Sequence, residues 1–220
     1  MSFKKNKYSV IRKAISKELA IFLANYFRMK KQVFDTCKET RYISPFEDLL
    51  GEYETQNQQV PDTYAAYGDI AMETLMLKVK PKIEKETGLK LYPVYSYGRI
   101  YKKGDELTRH KDRFSCEISA TMNLGGENWP IYVSPKENVG LPFSKPGITN
   151  YSKAKGVKVD LKPGDMLIYK GCVLEHWREK FKGNEYIQIF IHCNNRRTKG
   201  AKKNIFDTRP HLGLPSWFKR

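Results

Sequence analysis

RIYKKGDELTRHKDRFSCEISATMN, residues 99–123, is the stretch on which the fold turns. At its centre stands His110-Lys111-Asp112. In an extended segment residues two apart project to the same side, so an imidazole and a carboxylate would aim at one point. That is two thirds of the 2-His-1-carboxylate set, which holds non-haem Fe(II) and leaves positions of the metal open. The tripeptide alone also fits a charged surface loop, since Arg109, Lys111 and Arg113 flank it. The surrounding sequence has to decide.

Both flanks alternate with a period of two, as strands do. Over residues 91–101, Val94, Ser96, Gly98 and Ile100 share one face; Tyr95, Tyr97, Arg99 and Tyr101 share the other. Three phenols and a guanidinium suit a wet pocket better than a dry core. Over 116–123, Cys116, Ile118, Ala120 and Met122 form an apolar side, opposite Glu117, Ser119, Thr121 and Asn123. Further short strands are expected at 131–133, 157–161, 166–169 and 186–193, with the turn Lys162-Pro163-Gly164-Asp165 between two of them. The long stretch 134–156 carries three prolines and no periodicity, which predicts a lid or binding loop.

The first 90 residues read differently. Ile11, Ile15, Leu19, Phe22, Tyr26 and Met29 recur in steps of three and four, predicting an amphipathic helix from Ser9 to about Lys31 with Ser9 as its cap. A second helix is expected from about Asp69 to Thr87, with Pro81 as a kink and Gly88 as its stop. The tail, 194–220, is basic and then apolar, which predicts docking onto the barrel. We expect a single domain: helical support over 1–90, an all-β core over 91–193 of jelly-roll type, and a basic extension over 194–220 (α+β overall).

Composition narrows the class. The 220 residues are 40% hydrophobic and 29% charged, with a net charge of +16. Such a field favours polyanions or acidic molecules and leaves nucleic acid open as a partner, although no nucleic-acid motif accompanies it. The four cysteines form no CxxC pair, so reduced thiols and a cytoplasmic location are expected. No apolar run approaches a membrane span, and no membrane partner is expected.

Only four histidines exist: His110, His176, His192 and His211. His176 follows a strand at a separation that lets a barrel return the chain to Asp112; His192, on the last strand, is its rival as third ligand. Taken in order, RIYKKGDELTRHKDR, LKPGDMLIYKG, LEHWRE and GNEYIQIFIH resemble the double-stranded β-helix oxygenases that use Fe(II) and 2-oxoglutarate, in particular the prolyl-hydroxylase-like members of phages and bacteria. The likeness spans residues 91–192. It implies a cupin-like core, His110, Asp112 and His176 as iron ligands, 2-oxoglutarate and O2 as cosubstrates, and hydroxylation of an unactivated C–H bond, on a prolyl or other amino-acid residue among the options. It also implies a tyrosine that bonds the cosubstrate, matched by Tyr101.

One position departs from that family. The cation for the distal carboxylate of 2-oxoglutarate stands there on the closing strand, where this chain has Tyr186 and Gln188. Arg178, two residues after His176, is the best substitute, and Arg99 is second. Tyr97, Arg113 and Arg109 are candidates for holding an acidic or protein-borne substrate at the mouth. The competing class is a non-catalytic or cupin-like basic barrel that binds nucleic acid or an acidic partner, with the 196–203 tail carrying much of the contact.

Overall fold

The computed structural model describes residues 3–44, 47–53, 60–135 and 152–219. Its elements in chain order are α1 (Phe3–Asn6), β1 (Tyr8–Ile11), α2 (Lys17–Glu39), β2 (Glu52–Tyr53), β3 (Tyr64–Tyr67), α3 (Ile70–Thr87), β4 (Leu91–Lys102), β5 (Leu107–His110), β6 (Ile118–Gly126), β7 (Ile131–Val133), β8 (Val157–Val159), β9 (Met166–Tyr169), β10 (His176–Arg178) and β11 (Glu185–Asn195). Seven strands form one antiparallel sheet in the order β1-β9-β6-β11-β4-β3-β2, and four form a second in the order β5-β10-β7-β8. This is the expected two-sheet jelly roll with helices outside it. No helix among the described residues is long and apolar enough to cross a membrane.

The alternation read in the sequence sorts the larger sheet. Ile187, Ile189, Ile191 and Cys193 of β11, with Ile118, Ala120 and Met122 of β6, face outward into the core that α2 and α3 cover. Burying those side chains is what fixes the strand register, because a slip of one residue would turn them inward. The inward face then carries Tyr186, Gln188, Phe190 and His192 beside Tyr101, Arg99, Tyr97 and Tyr95, their partners across β4.

The first helix departs from its reading. Residues 8–11 are strand β1, paired with Met166–Tyr169, and the helix begins at Lys17 with Ser16, not Ser9, accepting from the Leu19 amide at 3.1 Å. Its buried face is Ala20, Leu23, Ala24, Phe27 and Phe34, whereas Phe22 and Met29 are each 67% exposed. The reason is close approach. An added Cβ at Gly98 would press on the Phe27 ring at 2.8 Å, and one at Gly125 would touch the Ala24 methyl at 3.2 Å. Glycines on the sheet, one admitting a phenyl ring and one a methyl, decide which helix face docks, and a count of large apolar residues misses that.

α3 begins and ends as expected: Asp69 accepts from the Met72 amide at 3.0 Å, and Gly88 stops the helix at φ 71°. The helix continues through Pro81. The first 90 residues also supply β1, β2 and β3 to the larger sheet.

The tail docks through its apolar part, with Leu212 packed on the core and Pro215 buried, and through charge. Arg209 is fully buried and bonds Glu73 of α3 at 2.7 Å, while Trp217 stays 64% exposed. Phe206, Asp207 and Thr208 all have φ near +60°, three successive non-glycine residues in the left-handed region. That costly backbone delivers Asp207 to Tyr67 (2.8 Å), Ser115 (3.0 Å) and Arg113 (3.1 Å). Burial would raise the Asp207 carboxyl, but Arg113, Tyr67 and Lys219 bring it down to about 2. A depressed carboxyl stabilises above its unfolded pKa and loses that contribution as pH falls through its folded pKa. Between about pH 4 and pH 2 the protein should therefore lose on the order of 1 kcal/mol that Asp207→Asn does not lose, after allowance for solvent screening. Parallel acid titrations of the two proteins by denaturant unfolding give the comparison.

Candidate metal centre

β5 and β10 lie side by side, and His110 and His176 are partners in that pairing. Their rings stand 4.2 Å apart. Asp112, two residues past the end of β5, is held where its amide donates to the Gly171 carbonyl at 2.9 Å. Asp112 Oδ1 then lies 3.5 Å from His110 Nε2 and 3.4 Å from His176 Nε2.

The other ring nitrogens fix the tautomers. His110 Nδ1 is 2.7 Å from the Thr108 carbonyl, and His176 Nδ1 is 3.0 Å from the Leu174 carbonyl. A carbonyl only accepts, so each Nδ1 carries hydrogen, and in its neutral form each ring turns an Nε2 lone pair toward Asp112. Metal bonds of about 2.1 Å at right angles set donors roughly 3 Å apart, so this donor set fits a divalent ion with only a small contraction. Burial would raise the Asp112 carboxyl, but His176 and His110 hold it well below the usual carboxylate range. Burial would lower His176, yet Asp112 lifts it; burial and the neighbouring His176 hold His110 down.

A second cluster, Asp112, Cys116 and His192, has comparable spacing. Its chemistry is poorer. Burial pushes the Cys116 thiol well up, and Tyr95 Oη sits 3.1 Å from its sulfur. The Ser119 hydroxyl already joins Asp112 Oδ2 at 2.9 Å to His192 Nδ1 at 3.0 Å. His192, the rival third ligand, is thus brought to the far side of the carboxylate from the other two imidazoles.

Gly171 closes on the same oxygen. A Cβ there would overlap Asp112 Oδ2, the Cys116 carbonyl and Ser119 Oγ. Gly171→Ala must displace the carboxylate, and divalent-metal affinity should fall on the order of 10- to 100-fold, as for other losses of ligand support. Titration with Mn(II) measures this, and unchanged affinity would remove Gly171 from the account.

A cavity of about 620 Å³ opens from these residues between the sheets. Tyr95, Tyr97, Arg99, Tyr101, Tyr169, Phe190 and His192 line it, so the polar face expected on β4 does line a pocket. Leu107 lines it as well, whereas Arg178 does not. Against Tyr101 pack Trp129 and Tyr186, and the Arg178 guanidinium lies over both rings, 5.0 and 4.7 Å from their centres. Arg178 is 1% exposed and donates to the Trp129 carbonyl, to Gln188 Oε1 at 2.6 Å and to Tyr186 Oη at 3.2 Å. It thereby brings its charge to the two closing-strand residues that stand where the resembled family has a cation.

All those partners are neutral. Arg178 forms no ion pair among the described residues, and a buried cation of that kind is costly unless an anion joins it. Arg178 Nε, Gln188 Nε2, Tyr101 Oη and Thr121 Oγ1 are buried with no hydrogen-bond partner among the described residues. Thr121 lies on β6 between Ser119, which bonds Asp112, and Asn123, opposite Gln188. Burial raises the Tyr101 phenol to about 12, opposed by Arg99 and Arg178, so it remains a neutral donor.

No family model matches the sequence, and no curated protein matches it. Solved structures do. The non-haem α-ketoglutarate-dependent epimerase SnoN from nogalamycin biosynthesis aligns over 88% of this chain and 80% of its own, with a TM-score of 0.62 at 11% identity. A Pseudomonas putida prolyl-4-hydroxylase covers 88% and 95% (0.54, 14%), and HygX from Streptomyces hygroscopicus, solved with nickel and 2-oxoglutarate bound, covers 89% and 85% (0.56, 13%). The chain has the fold of the 2-oxoglutarate-dependent oxygenases.

Within this oxygenase fold the remaining candidates separate. Arg99 lines the cavity and donates to the Val60 carbonyl at 3.1 Å and Tyr97 Oη at 3.2 Å. Tyr97 also lines it and donates to Glu52. Arg113 stands at the rim on Asp207. Arg109 is not brought in: its guanidinium stacks 3.5 Å over Trp177 and donates to the Ser152 and Ala154 carbonyls, outside the cavity lining. Most of the expected lid, residues 136–151, lies outside the described residues. Ser119 stands on the polar side of its strand and belongs to no motif of its own in the sequence. Asp207, Glu52 and Lys219 line the rim with no local signal in the sequence to announce them.

Proposed function

We propose that the protein is an Fe(II)- and 2-oxoglutarate-dependent dioxygenase that hydroxylates an unactivated C–H bond. What carries this reading is the convergence of two Nε2 lone pairs and one ionised carboxylate, each tied from behind. His110, Asp112 and His176 would hold the iron. When bound, iron with 2-oxoglutarate and O2 supplies the oxidising power, and 2-oxoglutarate leaves as succinate and CO2.

The chain's own residues bind, orient and keep water out. Arg178 offers its charge and an unpartnered Nε–H to the distal carboxylate, and Tyr101 adds a neutral hydroxyl donor. Arg178 is not among the residues that line the cavity, so the carboxylate reaches it only when a lining side chain gives way. Tyr95, Tyr169, Phe190 and His192 wall the site and limit water. At the rim Arg113 and Lys219 share the carboxylate of Asp207, and Glu52 stands on the same rim, so the local charges balance. It is the net charge of +16 over the whole chain that favours an acidic small molecule or an acidic protein-borne side chain as substrate. The four cysteines are free, which suits a reducing, cytoplasmic compartment that keeps iron ferrous.

The test is turnover of 2-oxoglutarate without a known substrate. Protein supplied with Fe(II) should form succinate slowly, and a chelator should stop it. Absence of both succinate and metal-dependent 2-oxoglutarate binding would contradict the reading.

A further inference from the structure

His192 is buried on the inner face of β11, its ring tilted against Tyr95 with centres 4.6 Å apart, and takes no place in the His110–Asp112–His176 set. Its Nδ1 meets Ser119 Oγ at 3.0 Å. The same hydroxyl is 2.9 Å from Asp112 Oδ2 and 3.0 Å from the Cys116 carbonyl. A hydroxyl has one proton and donates it to its strongest acceptor, here the ionised carboxylate. With that proton committed, the Ser119 oxygen is an acceptor toward His192, whose Nδ1 must then donate. A directed chain results: His192 Nδ1–H to Ser119 Oγ–H to Asp112 Oδ2.

The consequence is geometric. A carboxylate on a short side chain rotates easily about its terminal torsion. Pinning Oδ2 from the β6–β11 side leaves Oδ1 as the oxygen presented to the two Nε2 atoms. β6 and β11 are paired here, His192 opposite Ser119, so both members of the chain stand on the rigid sheet. We propose that His192, acting through Ser119, is a positioning residue that sets the orientation of the Asp112 carboxylate for metal binding. This rests on the proposed metal centre, since the effect is on a metal ligand.

The experiment measures Mn(II) affinity of metal-free protein by calorimetric titration, with no turnover involved. Ser119→Ala removes the link, and His192→Phe keeps a ring against Tyr95 but removes the donor. His192→Asn returns an amide N–H near the place of Nδ1. Ser119→Ala and His192→Phe should each weaken Mn(II) binding 10- to 100-fold. His192→Asn should stay within a few-fold of the parent, and the Ser119→Ala/His192→Phe double variant should lose no more than Ser119→Ala alone, because the two act in one chain. Parent-like affinity in Ser119→Ala, or fully additive losses in the double variant, would overturn the proposal. If His192→Phe does not fold, Ser119→Ala against His192→Asn decides it. If the parent protein itself binds no Mn(II), the metal-centre reading fails, which is a separate result.

Discussion

Asp112→Ala abolishes divalent-metal binding and 2-oxoglutarate turnover together: that is the largest effect the site leads us to expect. The carboxylate is the only anion in the set, and it lies 3.4–3.5 Å from both Nε2 atoms. Without it, two neutral imidazoles remain to hold a doubly charged ion in a buried place, and the charge goes uncompensated. His176 also loses the group that holds its pKa up. Folding is affected less, because the backbone amide of residue 112 still reaches the Gly171 carbonyl. Mn(II) titration and succinate assays of Asp112→Ala and His176→Ala should both read zero. Exposed His211 serves as the control: His211→Ala should match the parent protein. Parent-like metal affinity in Asp112→Ala would remove the triad.

The second large effect concerns Arg178. Arg178→Met should raise the KM for 2-oxoglutarate about 30-fold or more while Mn(II) affinity stays near that of the parent. Truncating one partner of a buried, hydrogen-bonded charge pair costs about 2–5 kcal/mol, mainly because the other charge is left unpaired, and 1.4 kcal/mol is a factor of ten. The stability of the metal-free protein should move the other way from a simple loss of structure. Its buried guanidinium has only neutral partners among the described residues, so an apolar side chain of similar length removes a costly charge. A melting temperature at or above the parent's, measured without 2-oxoglutarate, would separate lost binding from lost folding. Arg99→Met is the comparison, since Arg99 lines the cavity already. If that variant loses 2-oxoglutarate and Arg178→Met does not, the two arginines exchange roles.

Much of this architecture was legible because strand alternation is a strong signal. The two faces of β4 and β11 followed from the period of two, and they sort into helix-covered core and cavity wall as read. His-x-Asp was legible for the same reason: β5 is extended up to His110, and the backbone carries Asp112 back to it. The N-terminal error has a physical source. Ile11 and Ile15 fit a helical step, but β1 was decided by a free edge at β9, which only the folded sheet provides. α2 rotated because Gly98 and Gly125 admit Phe27 and Ala24, a fit between distant residues that periodicity does not register. Asp207 was invisible for a related reason. Its place depends on a left-handed run and on the buried Arg209–Glu73 pair, both tertiary in origin.

The most direct measurement is a crystal structure of the protein soaked, without oxygen, in Mn(II) and 2-oxoglutarate. The account predicts one metal bonded to His110 Nε2, His176 Nε2 and an oxygen of Asp112, with the distal carboxylate of 2-oxoglutarate on Arg178. Metal bound elsewhere, or no metal among these three side chains at saturating Mn(II), would contradict it.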